Sequence, residues 1–309
     1  MKNTIISIAI LLIVVFSSVA QNAINFSKVV TPSVPESMTF AEQKIEFDRT
    51  DMYERLDREL TSLSYAHGST MLVLKRANKL FPILAPILEK NGLPLDFLYL
   101  ACTESLLDYR AYSPARAAGI WQFIPSTGKL YGLEINEYVD ERLNIEKATT
   151  AACKYLKEAY QKYGNWESVA CAYNGGNGRI SSELSKQQQT SSFDLHLTSE
   201  TSRYMFRILA YKLILENPQK YGFYIQPEQL YFPTEYDIVE INTAIEDWPT
   251  WAKEYGISYA QLREQNPWIQ AKSLTNKSGK TYKIKIPKKE SLYRSSQKQP
   301  IYNSAWIGE

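Results

Sequence analysis

Glu104 has the residue type and setting that acid–base chemistry needs. It lies in residues 93–107, which read Leu-Pro-Leu-Asp-Phe-Leu-Tyr-Leu-Ala-Cys-Thr-Glu-Ser-Leu-Leu. Helical spacing places Phe97, Leu100 and Ala101 on the same face as Glu104. A carboxyl on an apolar face is poorly solvated, which raises its pKa and lets it keep a proton for use as a general acid. Spacing alone equally allows a solvated or capping glutamate near a helix end.

Two further segments carry residue types suited to binding a ligand. Residues 117–128 read Ala-Ala-Gly-Ile-Trp-Gln-Phe-Ile-Pro-Ser-Thr-Gly, and residues 172–179 read Ala-Tyr-Asn-Gly-Gly-Asn-Gly-Arg. The glycines would let a ligand approach the backbone closely, while Tyr173 and Asn174 offer a stacking face and amide hydrogen bonds. The same glycines also suit a plain helix C-cap and turn. They do not match a phosphate-binding loop, because no Gly-Lys-Ser/Thr ending follows them.

In order and spacing, these segments resemble the lytic transglycosylase catalytic domain of the goose-lysozyme-like fold. The resemblance rests on Glu104-Ser105 and on residues 118–128 and 172–179, and it extends from about residue 80 to 215. Residues 131–133 and 139–142, and also Glu200-Thr201 and Tyr204, belong to it. Within the family, the D-type membrane-bound murein transglycosylases are the most similar. The resemblance implies a mainly α, lysozyme-like catalytic domain.

The resemblance also implies a reaction. It is cleavage of the β-1,4 bond between N-acetylmuramic acid and N-acetylglucosamine in peptidoglycan, leaving a 1,6-anhydro end, with Glu104 as the single acid/base. No metal or cofactor is implied, and the partner is the peptidoglycan glycan strand, with cell-wall enzyme complexes as further candidates. The residues that the resemblance assigns to substrate binding are Ser105, Gln122, Tyr173, Asn174, Glu200 and Tyr204.

The chain departs from the family pattern at two places. The usual Gly-Phe after Glu-Ser is Leu106-Leu107 here, and the usual alanine of the Tyr-Asn-Ala-Gly motif is Gly175. Leucine in place of glycine is expected to narrow the cleft or to shift the end of the helix. A catalytically weak glycan-binding or scaffold protein is therefore one alternative. Asp108, one turn beyond Glu104, would permit a hydrolytic lysozyme route if it faced the cleft; otherwise it is a solvated aspartate at a helix end.

Composition excludes several other classes. The 309 residues are 44% hydrophobic and 22% charged, as in globular proteins, and 35 basic against 33 acidic residues do not favour nucleic-acid binding. The only histidines, His67 and His196, lie in unlike segments, which disfavours zinc and Ser/His/Asp sites. Aromatic residues make up 13% of the chain and suit either a stacking surface or a helical core.

The first 20 residues are predicted to be a secretory signal peptide. Lys2 precedes an apolar run at residues 5–16, and Ser18-Val19-Ala20 suits cleavage after Ala20. The run is shorter than the roughly 20 residues that a membrane span needs. We therefore expect export to the periplasm or cell envelope, with membrane contact only through the signal segment before cleavage. No lipid-accepting cysteine follows the signal, and Cys102, Cys153 and Cys171 are expected to be buried free thiols.

Patterning divides the rest of the chain. We expect a linker at residues 21–44, an N-terminal helical region at 45–79, the catalytic domain at 80–217, a second linker at 218–235, a small module at 236–287 and a flexible tail at 288–309. Helical stripes support the middle part. One comprises Leu95, Leu98, Tyr99, Cys102 and Leu106, and the other comprises Ile145, Ala148, Thr149, Ala152, Leu156 and Ala159.

The module at 236–287 is predicted to run strand–helix–helix–strand. Residues 236–241 and 282–287 alternate as strands do, and two helical pieces lie between them. The pattern weakly resembles a LysM glycan-binding domain, although Asn-Thr-Ala-Ile replaces the usual Gly-Asp-Thr-Leu at residues 242–245. Both glycan binding and a degenerate packing module remain open. Trp248, Trp251 and Trp268 are accordingly either a sugar platform or core residues.

Overall fold

The computed structural model describes residues 29–294 and 300–308, and residues 32–308 belong to one compact unit. Two strands come first, β1 (Ser37–Phe40) and β2 (Gln43–Glu46). Eight helices follow: α1 (Thr50–Tyr65), α2 (His67–Lys90), α3 (Phe97–Ser105), α4 (Pro125–Leu130), α5 (Ile145–Tyr163), α6 (Trp166–Gly175), α7 (Asn177–Lys186) and α8 (Ser199–Glu216). The C-terminal elements are β3 (Tyr236–Ile241), α9 (Trp248–Glu254), α10 (Tyr259–Gln265) and β4 (Tyr282–Pro287).

The N-terminal hairpin corrects the predicted linker at 21–44. Strands β1 and β2 pair antiparallel, and Ala41 and Glu42 make the tight turn with positive φ angles of 48° and 66°. Phe40 is buried and its ring packs edge-on against Phe97 of α3, 5.8 Å between centroids. Asp96 accepts a hydrogen bond from the Ala41 amide. Residues 37–44 are thus part of the folded core, and the rest of the predicted linker up to residue 28 lies outside the described residues.

Helices α1 and α2 occupy the predicted N-terminal helical region. Helix α2 continues without a break from His67 to Lys90, across the boundary expected between residues 79 and 80. Leu56 and Leu60 of α1 and Leu74 of α2 are fully buried in the main core. The N-terminal helices therefore share one hydrophobic core with the helices that follow.

Polar caps define the next helices. Asn144 and Asn165 accept backbone amide hydrogen bonds at the N-termini of α5 and α6, and Gly164 ends α5 with φ 70°. The predicted stripe of α5 faces the core, with its members from Ala148 to Ala159 buried. The other predicted stripe is only partly right. Helix α3 spans residues 97–105, so Leu95 and Leu106 lie beyond its ends and are exposed.

The C-terminal module has the predicted strand–helix–helix–strand order. Strands β3 and β4 pair antiparallel, with Tyr236 opposite Pro287 and Ile241 opposite Tyr282. Trp248 and Trp268 are buried in a second apolar cluster, which the module shares with Ala118, Val139 and Leu143, so they serve as core residues. Trp251 is half-buried and lies 4.3 Å from the Tyr255 ring, centroid to centroid.

The segments on either side of this module are not loose. Phe223, Ile225 and Leu230, in the predicted linker at 218–235, are buried in the main core. In the predicted flexible tail, Trp306 is 1% exposed and its indole Nε1 donates to the Leu215 carbonyl at 2.6 Å. Ile307 forms a β-bridge with Ile225. The prediction of a flexible tail is therefore wrong for residues 300–308.

The described residues are mainly α-helical, with a small α+β module near the C-terminus, as the sequence predicts. Cys102, Cys153 and Cys171 are buried and free, which is also as predicted. Within residues 29–294 and 300–308, no helix is long and apolar enough to cross a membrane.

Candidate active site

Helix α3 places Glu104 at the floor of a cleft. Phe97, Leu100 and Ala101 are buried on its face, as the helical spacing predicts. Glu104 itself keeps partial exposure and lines the cleft. The carboxyl is thus surrounded by apolar groups on the protein side and open to a ligand on the other.

Helix α8 supplies the partner of this carboxyl. The buried Tyr204 hydroxyl donates a short hydrogen bond to Glu104 Oε1. Glu200 lies one turn earlier on α8, is exposed, and also lines the cleft. The two helices therefore meet at the carboxyl although their residues are 100 positions apart in the chain.

The environment raises the pKa of Glu104 to about 7, far above its ordinary value. Burial is the largest cause, because it disfavours the anion, and the negative charge of Glu200 acts in the same direction. The Tyr204 hydrogen bond and the positive charge of Arg207 stabilise the anion and act against the rise. The balance leaves a carboxyl that exchanges its proton near neutral pH.

A loop at residues 113–124 forms one side of the cleft. Gln122, with φ 49°, turns its side chain onto the loop, and its Nε2 donates to the Gly119 carbonyl at 2.8 Å. Arg142 fixes the loop through two hydrogen bonds: its Nη1 donates to the carbonyls of Arg116 at 2.6 Å and of Phe123 at 3.0 Å. A Cβ at Gly119 would lie 1.9 Å from the Arg142 carbonyl oxygen, so only glycine fits there.

The end of helix α6 forms the opposite side. The Tyr173 hydroxyl donates to the Trp121 carbonyl at 2.7 Å, which ties α6 to the loop. Asn174 Oδ1 accepts from the Thr201 hydroxyl at 2.9 Å. At Gly175 a Cβ would lie 3.0 Å from the Thr201 methyl group, so the threonine fills the space that the family's usual alanine would take.

The cleft has a volume of about 840 Å³ and gathers most of the predicted site residues. Glu104, Gln122, Tyr173, Asn174 and Glu200 line it. Tyr204 contacts Glu104 from beneath, without belonging to the lining. Ser105 is buried and does not line the cleft either: its hydroxyl donates to the Ile120 carbonyl at 3.0 Å, so it supports the loop.

An aromatic wall is a part of the site that the sequence analysis did not assign. Phe123, Tyr131 and Tyr155 line the cleft beside Tyr173, and the Tyr155 and Tyr173 rings contact edge-on at 5.0 Å between centroids. Leu130, 77% exposed, extends the rim. The only signal in the sequence was the presence of aromatic residues at positions 123, 131, 155 and 173, and these come together only once the chain is folded.

The structure corrects one expectation about the residues after Glu104, that leucine narrows the cleft, and decides between the two alternatives for Asp108. Leu106 and Leu107 are not among the lining residues, so they do not narrow the cleft; both adopt left-handed backbone, with φ 53° and 55°, where α3 ends. Asp108 does not line the cleft and lies 3.7 Å from Arg76 in an ion pair. The additional carboxylates that line the cleft are those of Glu200 and Glu158.

Metal chemistry has no visible site in the described part of the chain. Over residues 29–294 and 300–308, no group of three His, Cys, Asp or Glu side chains is arranged to hold a metal ion.

Comparison with protein families matches residues 83–195 to the family described as the transglycosylase SLT domain. Residues 237–290 match the soluble lytic transglycosylase C-terminal LysM-like domain. Residues 83–195 thus match the transglycosylase SLT domain over that part of the chain. The expected fold, a lysozyme-like α-helical domain followed by a LysM-like module, is confirmed. The SLT match ends before α8, so Glu200 and Tyr204 lie outside it.

Named proteins show the same relationship. The chain is 31% identical over 248 residues to membrane-bound lytic murein transglycosylase D of Escherichia coli K12, covering 77% of this chain and 52% of the relative. It is 33% identical over 124 residues to the peptidoglycan transglycosylase gp16 of Escherichia phage T7, covering 39% of this chain and 9% of that protein. The chain thus spans about half the length of the Escherichia coli relative.

Among solved structures, the 70 kDa soluble lytic transglycosylase of Escherichia coli aligns at 20% identity with a TM-score of 0.39. The alignment covers 55% of this chain and 31% of that one.

Proposed function

We propose that this protein is a peptidoglycan lytic transglycosylase that uses Glu104 as its single acid/base. The substrate would be the β-1,4 bond between N-acetylmuramic acid and N-acetylglucosamine, and the product a 1,6-anhydro end. The observation that carries the proposal is a glutamate with a pKa of about 7 at the floor of a cleft, within an SLT domain.

The raised pKa suits both halves of the reaction. Protonated Glu104 gives its proton to the glycosidic oxygen, the bond to the anomeric carbon breaks, and positive charge develops on the sugar ring. The C6 hydroxyl of the same sugar then attacks the anomeric carbon, and the Glu104 carboxylate takes the hydroxyl proton. Because the nucleophile is intramolecular, no second carboxylate is needed to activate water.

The surrounding side chains have roles that follow from their contacts. Tyr204 stabilises the carboxylate that forms after proton donation, since its hydroxyl donates to Glu104 Oε1. Asn174 and Gln122 offer amide groups to the acetamido sugar, and the Phe123, Tyr131 and Tyr155 rings offer stacking faces. Ser105 acts through the loop carbonyl that it holds.

The decisive experiment is mass analysis of soluble products after the purified protein is incubated with murein sacculi, alongside Glu104→Gln. Anhydro-muropeptides from the wild type alone are expected, with activity of the variant reduced at least about a thousandfold. Binding of sacculi without any product would instead favour a glycan-binding or scaffold protein.

Hydrolysis is a second candidate reaction. Glu200 is a better candidate for its second carboxylate than Asp108, because Glu200 lines the cleft and Asp108 does not. Glu200 lines the cleft and is close enough to raise the pKa of Glu104, so it could orient an attacking water molecule. Reducing ends in the product, lost in Glu200→Gln, would establish this route. Anhydro ends from Glu200→Gln would exclude it.

We further propose that the protein acts in the periplasm after export. The predicted signal peptide lies outside the described residues, so its support comes from the sequence alone. Fractionation of cells producing the protein, with N-terminal sequencing of the mature form, tests both export and cleavage after Ala20. A cytoplasmic, uncleaved protein would contradict the proposal.

A further inference from the structure

The LysM-like module packs directly on a catalytic-domain segment, residues 134–146. The Asp140 amide donates to the Trp268 carbonyl, and the Gln270 amide donates to the Tyr138 carbonyl, each at 2.8 Å. Val139 and Ile269 form an antiparallel bridge between these bonds. This main-chain pairing fixes the two parts in one register.

Charged side chains reinforce the contact. Lys280 of the module lies between two catalytic-domain carboxylates, 3.1 Å from Glu141 Oε1 and in a short contact with Glu134. The Tyr282 hydroxyl also donates to Glu134, at 3.0 Å. Glu141 is 2% exposed and also pairs with Lys147, whereas the Lys280 side chain is 39% exposed, so Lys280 closes the solvent side of a buried carboxylate.

The same segment holds the cleft loop. Asp140 forms a buried ion pair with Arg142, at 2.7 Å. Arg142 in turn donates to the carbonyls of Arg116 and Phe123, at the two ends of the turn that carries Gln122. Ala118 of this loop is fully buried in the module's apolar cluster.

A second contact reaches the segment that follows the helix of Glu104. Glu264 of α10 accepts hydrogen bonds from the Tyr109 hydroxyl at 2.6 Å and from Arg110 Nη1 at 2.7 Å. Both residues lie within six positions of Glu104. The module therefore contacts the polypeptide both before the cleft loop, at residues 109–110, and after it, at residues 134–146.

We propose that the LysM-like module is a positioning element of the cleft, with Lys280 as a positioning residue. Lys280 acts through Glu134 and Glu141 on residues 138–142, and these residues hold the cleft loop. A module that only tethers the enzyme to murein would leave the geometry of the cleft unchanged. The kinetic test rests on the proposed function, whereas the exchange test below does not.

The kinetic test uses a soluble murein oligosaccharide and the full chain. Lys280→Ala is expected to lower kcat about tenfold, with KM changed less than about twofold, because a loosened loop misplaces the reacting sugar. Lys283→Ala is the matched control, since Lys283 pairs with Glu240 inside the module. Lys280→Arg, which keeps the charge, should recover most of kcat.

The second test is amide hydrogen exchange of the same variants. Faster exchange at residues 116–123 in Lys280→Ala, by about threefold or more, with no change in Lys283→Ala, is expected. Wild-type kcat on the soluble substrate together with unchanged exchange in that loop would overturn the proposal. A wild-type protein without glycan cleavage would refute the proposed function, and the exchange result would then decide the positioning role alone.

Discussion

Helix α8 contacts two glutamates, Glu59 and Glu104, that differ in the groups around their carboxyls. Glu59 of α1 is 1% exposed and is surrounded by guanidinium groups: the Nε atoms of Arg203, Arg58 and Arg207 lie 2.6, 3.2 and 3.3 Å from its carboxylate. Glu104 receives instead one hydrogen bond from the neutral Tyr204 hydroxyl. The same helix thus binds one carboxylate with cations and the other with a phenol.

The difference separates a structural carboxylate from a chemically useful one. A buried carboxylate that pairs with several cations joins the helices on which those cations lie. Removing the carboxylate leaves the cations without a partner. A carboxyl enclosed without a cation has a raised pKa and can exchange a proton. Burial alone therefore does not mark the candidate catalytic residue. What marks Glu104 is that its carboxyl is bound by a neutral hydroxyl and not by a cation.

Glu104→Gln should make the protein more stable at alkaline pH. The pKa of Glu104 is 4.5 in the unfolded chain and about 7 in the folded protein. The protonated carboxyl therefore contributes fully to the free energy of unfolding below pH 4.5. This contribution is lost as the pH rises through 7. Glutamine cannot ionise, so the variant's advantage in unfolding free energy should grow by about 3 kcal/mol between pH 4.5 and pH 8. Urea unfolding across this range measures it.

The control for this effect is Glu254→Gln, which changes an exposed glutamate of α9. Its stability should follow the wild type at every pH. If the unfolding free energies of the two variants changed equally with pH, Glu104 would be solvated in the free protein. The proposed difference between Glu104 and Glu59 would then be wrong.

Glu59→Ala should destabilise the protein by about 2 kcal/mol at neutral pH. Losing one member of a buried ion pair typically costs more, but Arg203 and Arg207 are about one-third exposed, and water would partly compensate them. Denaturant unfolding measures the cost. Glu54→Ala, at an exposed position of the same helix, should change stability by less than about 0.5 kcal/mol.

The two cleft partners of Glu104 should move its pKa in opposite directions. Tyr204→Phe removes the hydrogen bond that lowers the pKa, so the alkaline limb of kcat/KM should shift to higher pH. Glu200→Gln removes the nearby negative charge that raises it, so the limb should shift to lower pH. The measurement is the pH profile of kcat/KM for each variant against the wild type, whose limb should lie near the pKa of about 7.

Shifts in the same direction would contradict this assignment of the two contacts. Loss of all activity in Glu200→Gln, in place of a shift, would identify Glu200 as a participant in the reaction and favour hydrolysis.

Local spacing predicted the parts of the molecule whose structure is decided locally. The apolar face beneath Glu104 and the stripe of α5 follow from the helical period, and both strands of the C-terminal module follow from alternation. The contact between Tyr204 and Glu104 could not be derived from local spacing, because the two residues are 100 positions apart. Only the family resemblance placed both of them in the site.

Segments whose burial depends on distant partners were predicted wrongly. The β1–β2 hairpin is ordered by contact of Phe40 with Phe97, and residues 300–308 are held by the hydrogen bond from Trp306 to Leu215. Neither segment shows a strong period, so polar composition alone suggested loose chain. A single buried aromatic side chain in each outweighs that composition.

The end of α3 offers the smallest and most local test of what holds Glu104 in place. Leu106 has a left-handed backbone, which costs a residue with a Cβ more than it costs glycine, and its exposed side chain contributes little burial. Leu106→Gly should therefore be more stable to urea than Leu106→Ala by about 1 kcal/mol, since both variants lose the same apolar side chain and only alanine keeps the strain. Because Leu106 does not line the cleft, kcat should be unchanged in both. A rise in kcat for Leu106→Gly alone would show instead that the strained helix end limits the position of Glu104.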